Sequence, residues 1–154
     1  MYEYPRKHVA TTPAGTLTLA TWLLYIVSIA ILYYPTFLAS LLTAAFFGLV
    51  ACAAVVFGFR YWRAAVILSV IVYAVVYVVR VLRMTGMTAD QSFLSSVTSY
   101  YAILWQVSLG IFQEKGVTGG VAQLFLEYVM PLLAVVLLVL VWASRRRTAG
   151  ASYS

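Results

Sequence analysis

The chain has 154 residues, is 64% hydrophobic and only 9% charged, and has a mean hydropathy of +0.98. Soluble globular domains run at roughly 45–50% apolar and about 25% charged, so the expectation is an integral membrane protein of the all-α class. The net charge of +6 sits in clusters flanking apolar runs, which is a topology signal and not a nucleic-acid-binding face, and one histidine with four acidic residues leaves little material for a catalytic or metal constellation.

Met1 to Pro13 is polar, with Arg6, Lys7 and His8 ahead of a Thr-Thr-Pro-Ala-Gly turn. The apolar run at 16–34 exceeds a signal-peptide core of roughly 7–15 residues and reads as the first membrane span. Thr18, Thr21, Tyr25 and Ser28 recur on it at helical spacing, so they share one face directed at another helix. A short turn with interfacial tyrosines, Tyr33-Tyr34-Pro35-Thr36, leads into the second span at 37–59. Along that span Ser40, Ala44, Gly48 and Cys52 form a small-residue ladder that lets a neighbouring backbone come close; packing within the bundle is preferred over self-dimerisation. Cys52 is the single cysteine, so no intrachain disulfide can form.

Arg60-Tyr61-Trp62-Arg63 is a basic, aromatic boundary with almost no loop, and 64–84 is the third span. On it Ser69, Tyr73, Tyr77 and Arg80 fall within about 80° of one another, a polar stripe that ends in a charge and continues towards Arg83. The polar link 85–91 contains Gly86 as a break and Asp90 as a cap for the next helix. From 91 to 113, Ser95, Ser99 and Gln106 fall on a polar arc, and aromatic and aliphatic side chains including Trp105 fill the opposite one. The periodicity predicts an amphipathic helix with an uncharged polar face, serving as a lid or as a docking surface for a partner subunit. Residues 114–120 are charged and then glycine-rich and are expected to form a flexible return. The last span is 121–143, anchored by Arg145, Arg146 and Arg147, and the tail 148–154 is expected to be disordered.

Length alone would let 93–112 cross the membrane, so the basic residues arbitrate. With four spans and a cytoplasmic N-terminus, Arg6, Lys7, Arg60, Arg63, Arg145, Arg146 and Arg147 are inside and only Arg80, Arg83 and Lys115 outside. Five spans would export the Arg145 to Arg147 cluster and divide the charges evenly. The positive-inside rule therefore favours four spans with both termini cytoplasmic, and the basic clusters suggest a plasma (inner) membrane, which the rule itself does not identify.

The last span carries the one acidic residue placed among apolar neighbours, Glu127, and Pro131 follows one helical turn later. Proline has no N–H, so the Glu127 carbonyl loses its usual donor. Glu127 lies roughly 9 Å inside the outer end of its span, and Arg80 sits at nearly the same depth in the third. An Arg80–Glu127 contact is thus allowed. One role for it is a proton or ion relay lined by Ser69, Tyr73 and Tyr77; the other, favoured because both charges lie near the interface, is a structural ion pair. Pro131 is read as a tolerated kink in preference to a transporter-like broken helix.

No cofactor or metal is expected. Haem with two axial histidines is excluded by the single histidine, zinc and di-iron sites lack ligands at workable spacing, and no phosphate-binding or dinucleotide glycine fingerprint occurs. A hydrolytic triad would have only His8, outside the spans, so no enzymatic activity is expected. The chain reads as one transmembrane domain, 1–154: a four-helix bundle with one additional amphipathic helix on the non-cytoplasmic side. The expected function is that of a non-catalytic accessory, assembly or scaffold subunit of a larger membrane complex. Its partners are the lipid bilayer and other membrane subunits or further copies of itself, and not nucleic acid. The alternative is a small oligomeric transporter or channel using Arg80 and Glu127, and a third, weaker class is a lipid-handling protein using Arg83 and the outer helix. Fusion of a reporter after Ser154 tests the topology: it is expected to stay cytoplasmic, and an exported reporter would mean that 93–112 crosses the membrane.

Overall fold

The computed structural model describes residues 12–34, 39–85 and 93–150. The Arg6, Lys7 and His8 segment, the Pro35-Thr36 turn, the Gly86 and Asp90 link and residues 151–154 of the tail lie outside them. All regular structure among the described residues is helical: α1 (Pro13–Tyr33), α2 (Ala39–Phe57), α3 (Trp62–Thr85), α4 (Phe93–Leu124), a π-helical turn (Phe125–Val129) and α5 (Met130–Gly150). Among them four helices are long and apolar enough to cross a membrane, Pro13–Tyr33, Ala39–Phe57, Trp62–Arg83 and, through an internal kink, Val97–Arg147.

α1 begins three residues before the expected span because the Thr-Pro pair is a helix start. The Thr12 hydroxyl accepts from the Gly15 N–H at 3.2 Å and Pro13 occupies the first turn, where its missing N–H is not needed. The face carrying Thr18, Thr21, Tyr25 and Ser28 is buried. α2 packs against both α1 and α3, and α5 closes a ring by contacting α3 and α1. Across the diagonal of that ring, Trp22 and Tyr25 of α1 meet Tyr73 of α3 edge-to-face, with centroids 6.5 and 6.1 Å apart. These rings lie in the main core with Leu41, Ala44, Met130 and Leu137.

Among the described residues, two glycines set chain reversals. Gly58, at φ 65°, ends α2: its N–H bonds to the Val55 carbonyl at 3.3 Å and the Phe59 N–H bonds to that of Ala54 at 3.0 Å. This is the Schellman arrangement, in which a left-handed residue satisfies the last carbonyls of a helix. It lets α3 start at Trp62 with almost no loop.

Gly116, at φ 74° and ψ −168°, breaks α4 in a backbone region that only glycine populates readily. The segments on either side fold back on each other. Tyr101 meets Tyr128 with centroids 5.5 Å apart, and Phe112 lies so close to Gly120 that a Cβ there would land in the ring. Both contact pairs recede from Gly116 in opposite directions along the chain, so the segments run antiparallel. The flexible return expected over 114–120 is therefore a one-residue reversal inside a continuous helical path. Gly119 and Gly120 are helical, and their lack of a side chain admits Lys115 and Phe112.

The last helix also continues past the expected end at Ala143 and takes in 148–150 of the tail that was expected to be disordered. Arginine is a good helix former, and the Arg146 guanidinium stacks 3.9 Å from the Trp142 ring one turn earlier, so nothing there stops the helix. The amphipathic pattern of 91–113 is likewise less regular than its spacing implied. Tyr100, Leu104 and Ser108 are buried, whereas Ile103, Trp105, Val107 and Leu109 are exposed beside Ser95, Ser99 and Gln106.

The two kinds of glycine predict opposite outcomes. Gly116→Ala is expected to destabilise by about 1–3 kcal/mol because its backbone is closed to a side chain. Gly110→Ala, helical and with open space around it, is expected to be neutral or to stabilise by up to ~1 kcal/mol. Thermal unfolding in detergent or nanodiscs distinguishes them, and equal effects would refute the reversal at Gly116.

Candidate functional site

The polar site is built at the end of the bundle where α3 finishes and α4 folds against the π-helical turn. Glu127 is completely buried there. One of its carboxylate oxygens accepts from Arg80 Nη2 at 2.6 Å, and the other accepts from the Tyr100 hydroxyl at 2.6 Å. The Arg80 side chain remains 19% exposed, whereas that of Glu127 has no exposure. Three chain segments distant in sequence are thus tied at one carboxylate. A charged group so enclosed is tolerated only when paired and hydrogen-bonded, and here both oxygens are engaged.

Local sequence explains how Glu127 comes to face inward. Pro131 cannot donate to the Glu127 carbonyl, and its ring crowds that oxygen in a regular α-helix. The chain absorbs the conflict one turn earlier by widening to a π-helical turn, in which the Met130 N–H bonds to the Phe125 carbonyl. The kink expected at Pro131 is therefore a π-turn over 125–129. Such single turns, inserted into an α-helix, are frequent at functional sites.

The tyrosines of α3 form part of an aromatic ladder. Successive centroids run Trp22–Tyr25 at 5.3 Å, Tyr25–Tyr73 at 6.1 Å, Tyr73–Tyr77 at 6.3 Å and Tyr77–Tyr100 at 6.1 Å, and continue through Tyr101 to Tyr128. The hydroxyls of Tyr77 and Tyr101 are 2.6 Å apart and so share a proton-mediated bond between α3 and α4. Ser69 lies on the same stripe but donates to the Val66 carbonyl of its own helix at 2.7 Å, so it does not reach the Glu127 network. The buried hydroxyls of Tyr25, Tyr73 and Thr21 and the Trp22 indole N–H make no hydrogen bond among the described residues.

The remaining sequence candidates fall elsewhere. Arg83 is exposed and makes no ion pair among the described residues; with Arg80, Tyr33, Ser40, Gln123, Leu104, Val107 and Ile111 it lines a cleft of about 660 Å³. Ser40 therefore belongs to the cleft more than to the ladder. Ala44, Gly48 and Cys52 are buried against α1: Gly48 leaves room for the Trp22 indole, and Cys52 Sγ lies 4.0 Å from the Thr18 carbonyl oxygen. Ser95, Ser99, Trp105 and Gln106 form part of the outward face of α4. No group of three or more His, Cys, Asp or Glu side chains converges among the described residues.

Two participants were not singled out from sequence. Tyr100 shares a stripe with Leu104, Ser108 and Ile111, and that spacing was the available signal. Gln123 is 3% exposed, and its position one turn before Glu127 was the only hint. The architecture that emerges among the described residues is all-helical, with four helices apolar enough to cross a membrane and a closed polar lock at one end. Compared with models of known families, with curated proteins and with solved structures, the chain matches none.

Removing one member of the lock leaves a buried charge unmatched, so Glu127→Ala or Arg80→Ala is expected to cost about 3–5 kcal/mol. Tyr100→Phe should cost about 1.5–3 kcal/mol, the range for a hydrogen bond to a charged group. Tyr73→Phe deletes an unpartnered hydroxyl and is expected to be neutral or stabilising. Thermal or denaturant unfolding of the four variants checks the order; equal sensitivity at Tyr73 and Tyr100 would contradict the lock.

Proposed function

We propose that this protein is a non-catalytic accessory, assembly or scaffold subunit of a larger membrane complex. The observation that carries the reading is the closure of the Arg80–Glu127–Tyr100 network. Glu127 is wholly buried with both oxygens engaged, so it is better suited to fastening α4 to α3 and the π-turn than to exchanging protons or ions with water. The fastened segment supplies the partner surface. Its outward face interleaves Ser95, Ser99 and Gln106 with Ile103, Trp105, Val107 and Leu109, and 93–113 contains no charged residue. A mixed apolar and uncharged polar face suits packing against another membrane helix, where van der Waals contact and hydroxyl or amide hydrogen bonds supply the association energy.

The location follows from the same charges. Arg60, Arg63, Arg145, Arg146 and Arg147 belong to one end of the bundle, where Arg63 donates through Nε to the Ser144 hydroxyl at 3.1 Å, tying α3 to α5. On the positive-inside rule that end is cytoplasmic, and the Glu127 lock and α4 lie in the opposite half of a plasma membrane.

Purification from native membranes under mild conditions, followed by mass spectrometry, tests the proposal. Stoichiometric foreign subunits are expected, and Trp105→Ala combined with Gln106→Ala should deplete them while leaving thermal stability unchanged. Recovery of a lone, stable homo-oligomer would overturn the accessory role in favour of a self-assembled transporter or channel.

A further inference from the structure

The cleft beside the lock joins a polar wall to an apolar one. Its polar wall holds Arg80, Arg83, Tyr33, Ser40 and Gln123, its apolar wall Leu104, Val107 and Ile111, and no described carboxylate lines it. Arg80 commits Nη2 to Glu127 but carries five N–H donors in all, and its side chain keeps 19% exposure. Arg83 has no ion pair, hydrogen bond or ring contact among the described residues. Gln123 is 97% buried as a residue and lines the cleft. A guanidinium and an amide lining one cleft beside an apolar wall are donors that an acceptor-rich, amphiphilic group can meet together.

The opposite end of the bundle provides the contrast. A cleft of about 510 Å³ there also contains arginines, Arg60, Arg63 and Arg145. Its guanidinium groups already have protein partners: Arg60 lies 5.7 Å from the Tyr61 ring centroid, and Arg63 lies 5.3 Å from that of Trp62 and bonds to Ser144. Those arginines are the topology anchors of a membrane helix end. Arg83 has no such engagement.

We propose that the Arg83–Gln123 cleft is a binding site for one anionic glycerophospholipid of the surrounding leaflet. The phosphodiester is held chiefly by Arg83, with Arg80 beside it, a headgroup or ester oxygen accepts from the Gln123 amide, and an acyl chain lies along Leu104, Val107 and Ile111. The chemistry fits on three counts. Arg83, a cation without an ion pair beside the Glu127-paired Arg80, favours an anion, a guanidinium fork matches phosphate oxygens, and the cleft sets a polar wall beside an apolar one as an amphiphile requires. Because the walls come from α1, α2, α3, α4 and the segment leading to the π-turn, the lipid would seal the mouth of the bundle beside the Glu127 lock. The site rests on the bundle lying in a bilayer but not on any partner subunit, so its failure is distinguishable from failure of the accessory role.

Native mass spectrometry of the delipidated full-length protein, titrated with phosphatidylglycerol, phosphatidylcholine or inorganic phosphate, tests the site. One phosphatidylglycerol should be retained in preference to phosphatidylcholine, and inorganic phosphate should not compete at equal concentration, since it lacks the acyl contacts. Arg83→Gln and Gln123→Leu should each weaken retention about tenfold, the loss expected for one charge-assisted or buried hydrogen bond. Arg83→Gln, at an exposed position, should unfold at the wild-type temperature in lipid-free detergent, and Gln123→Leu should unfold no lower than the wild type. Arg60→Gln, at the other end, should leave retention unchanged. Equal retention of both lipids, displacement by inorganic phosphate, or a loss on Arg60→Gln matching that on Arg83→Gln would each overturn the proposal.

Discussion

The constraint on which the structure depends is the enclosure of one carboxylate. Glu127 has no contact with solvent, so its charge is sustained only by what the protein brings to it: Arg80 from α3 and the Tyr100 hydroxyl from α4. Desolvating a carboxylate is expensive enough that the partners are obligatory, and obligatory partners fix geometry. Arg80 sets the relative height of α3 and the final helix. Tyr100 sets where α4 lies, since that helix has few other polar ties to the bundle. The Tyr77–Tyr101 bond and the tilted Tyr101–Tyr128 ring contact then extend the same alignment, by one residue on α4 and on the π-turn and by about one helical turn on α3.

Getting Glu127 to that position requires the backbone to depart from ideal helix twice in a short stretch. Gly116 reverses the chain at a conformation closed to side chains, and the π-turn ahead of Pro131 accommodates the missing N–H. Between them, Gly120 lets the Phe112 ring sit directly on the helix backbone. Glycine therefore serves two unrelated purposes within five residues, reversal at one position and close approach at the other. Gly48 repeats the second purpose in α2, where the Trp22 indole occupies the space of an absent Cβ.

The two ends of the bundle handle positive charge differently. At one end the arginines stack on Tyr61, Trp62 and Trp142 or bond to Ser144, so their apolar surroundings are protein. At the other, Arg80 is neutralised by Glu127 while Arg83 and the buried Gln123 amide face an open cleft. The first pattern anchors helix ends; the second leaves binding capacity for an amphiphile next to the element that we propose meets a partner. Lock, cleft and proposed partner face share α4, so the proposed function would rest on the same helix that the lock holds in place.

Much of this was readable without coordinates. Long apolar runs bounded by basic and aromatic residues determined the helical class and its membrane-length character, because hydrophobicity and length are properties of a segment by itself. Counting turns from the span ends also paired Arg80 with Glu127, since depth along a helix is a one-dimensional quantity. What only the tertiary structure decided is which arc of α4 turns inward, which glycine reverses the chain, and which hydroxyl completes the lock. Periodicity specifies arcs but not their neighbours, so Tyr100 and Tyr101 were equivalent until α3 and the π-turn selected one for Glu127. In the same way Gly116, Gly119 and Gly120 are alike in sequence, and only the approach of Phe112 and Lys115 separates the glycine that turns the chain from those that make room.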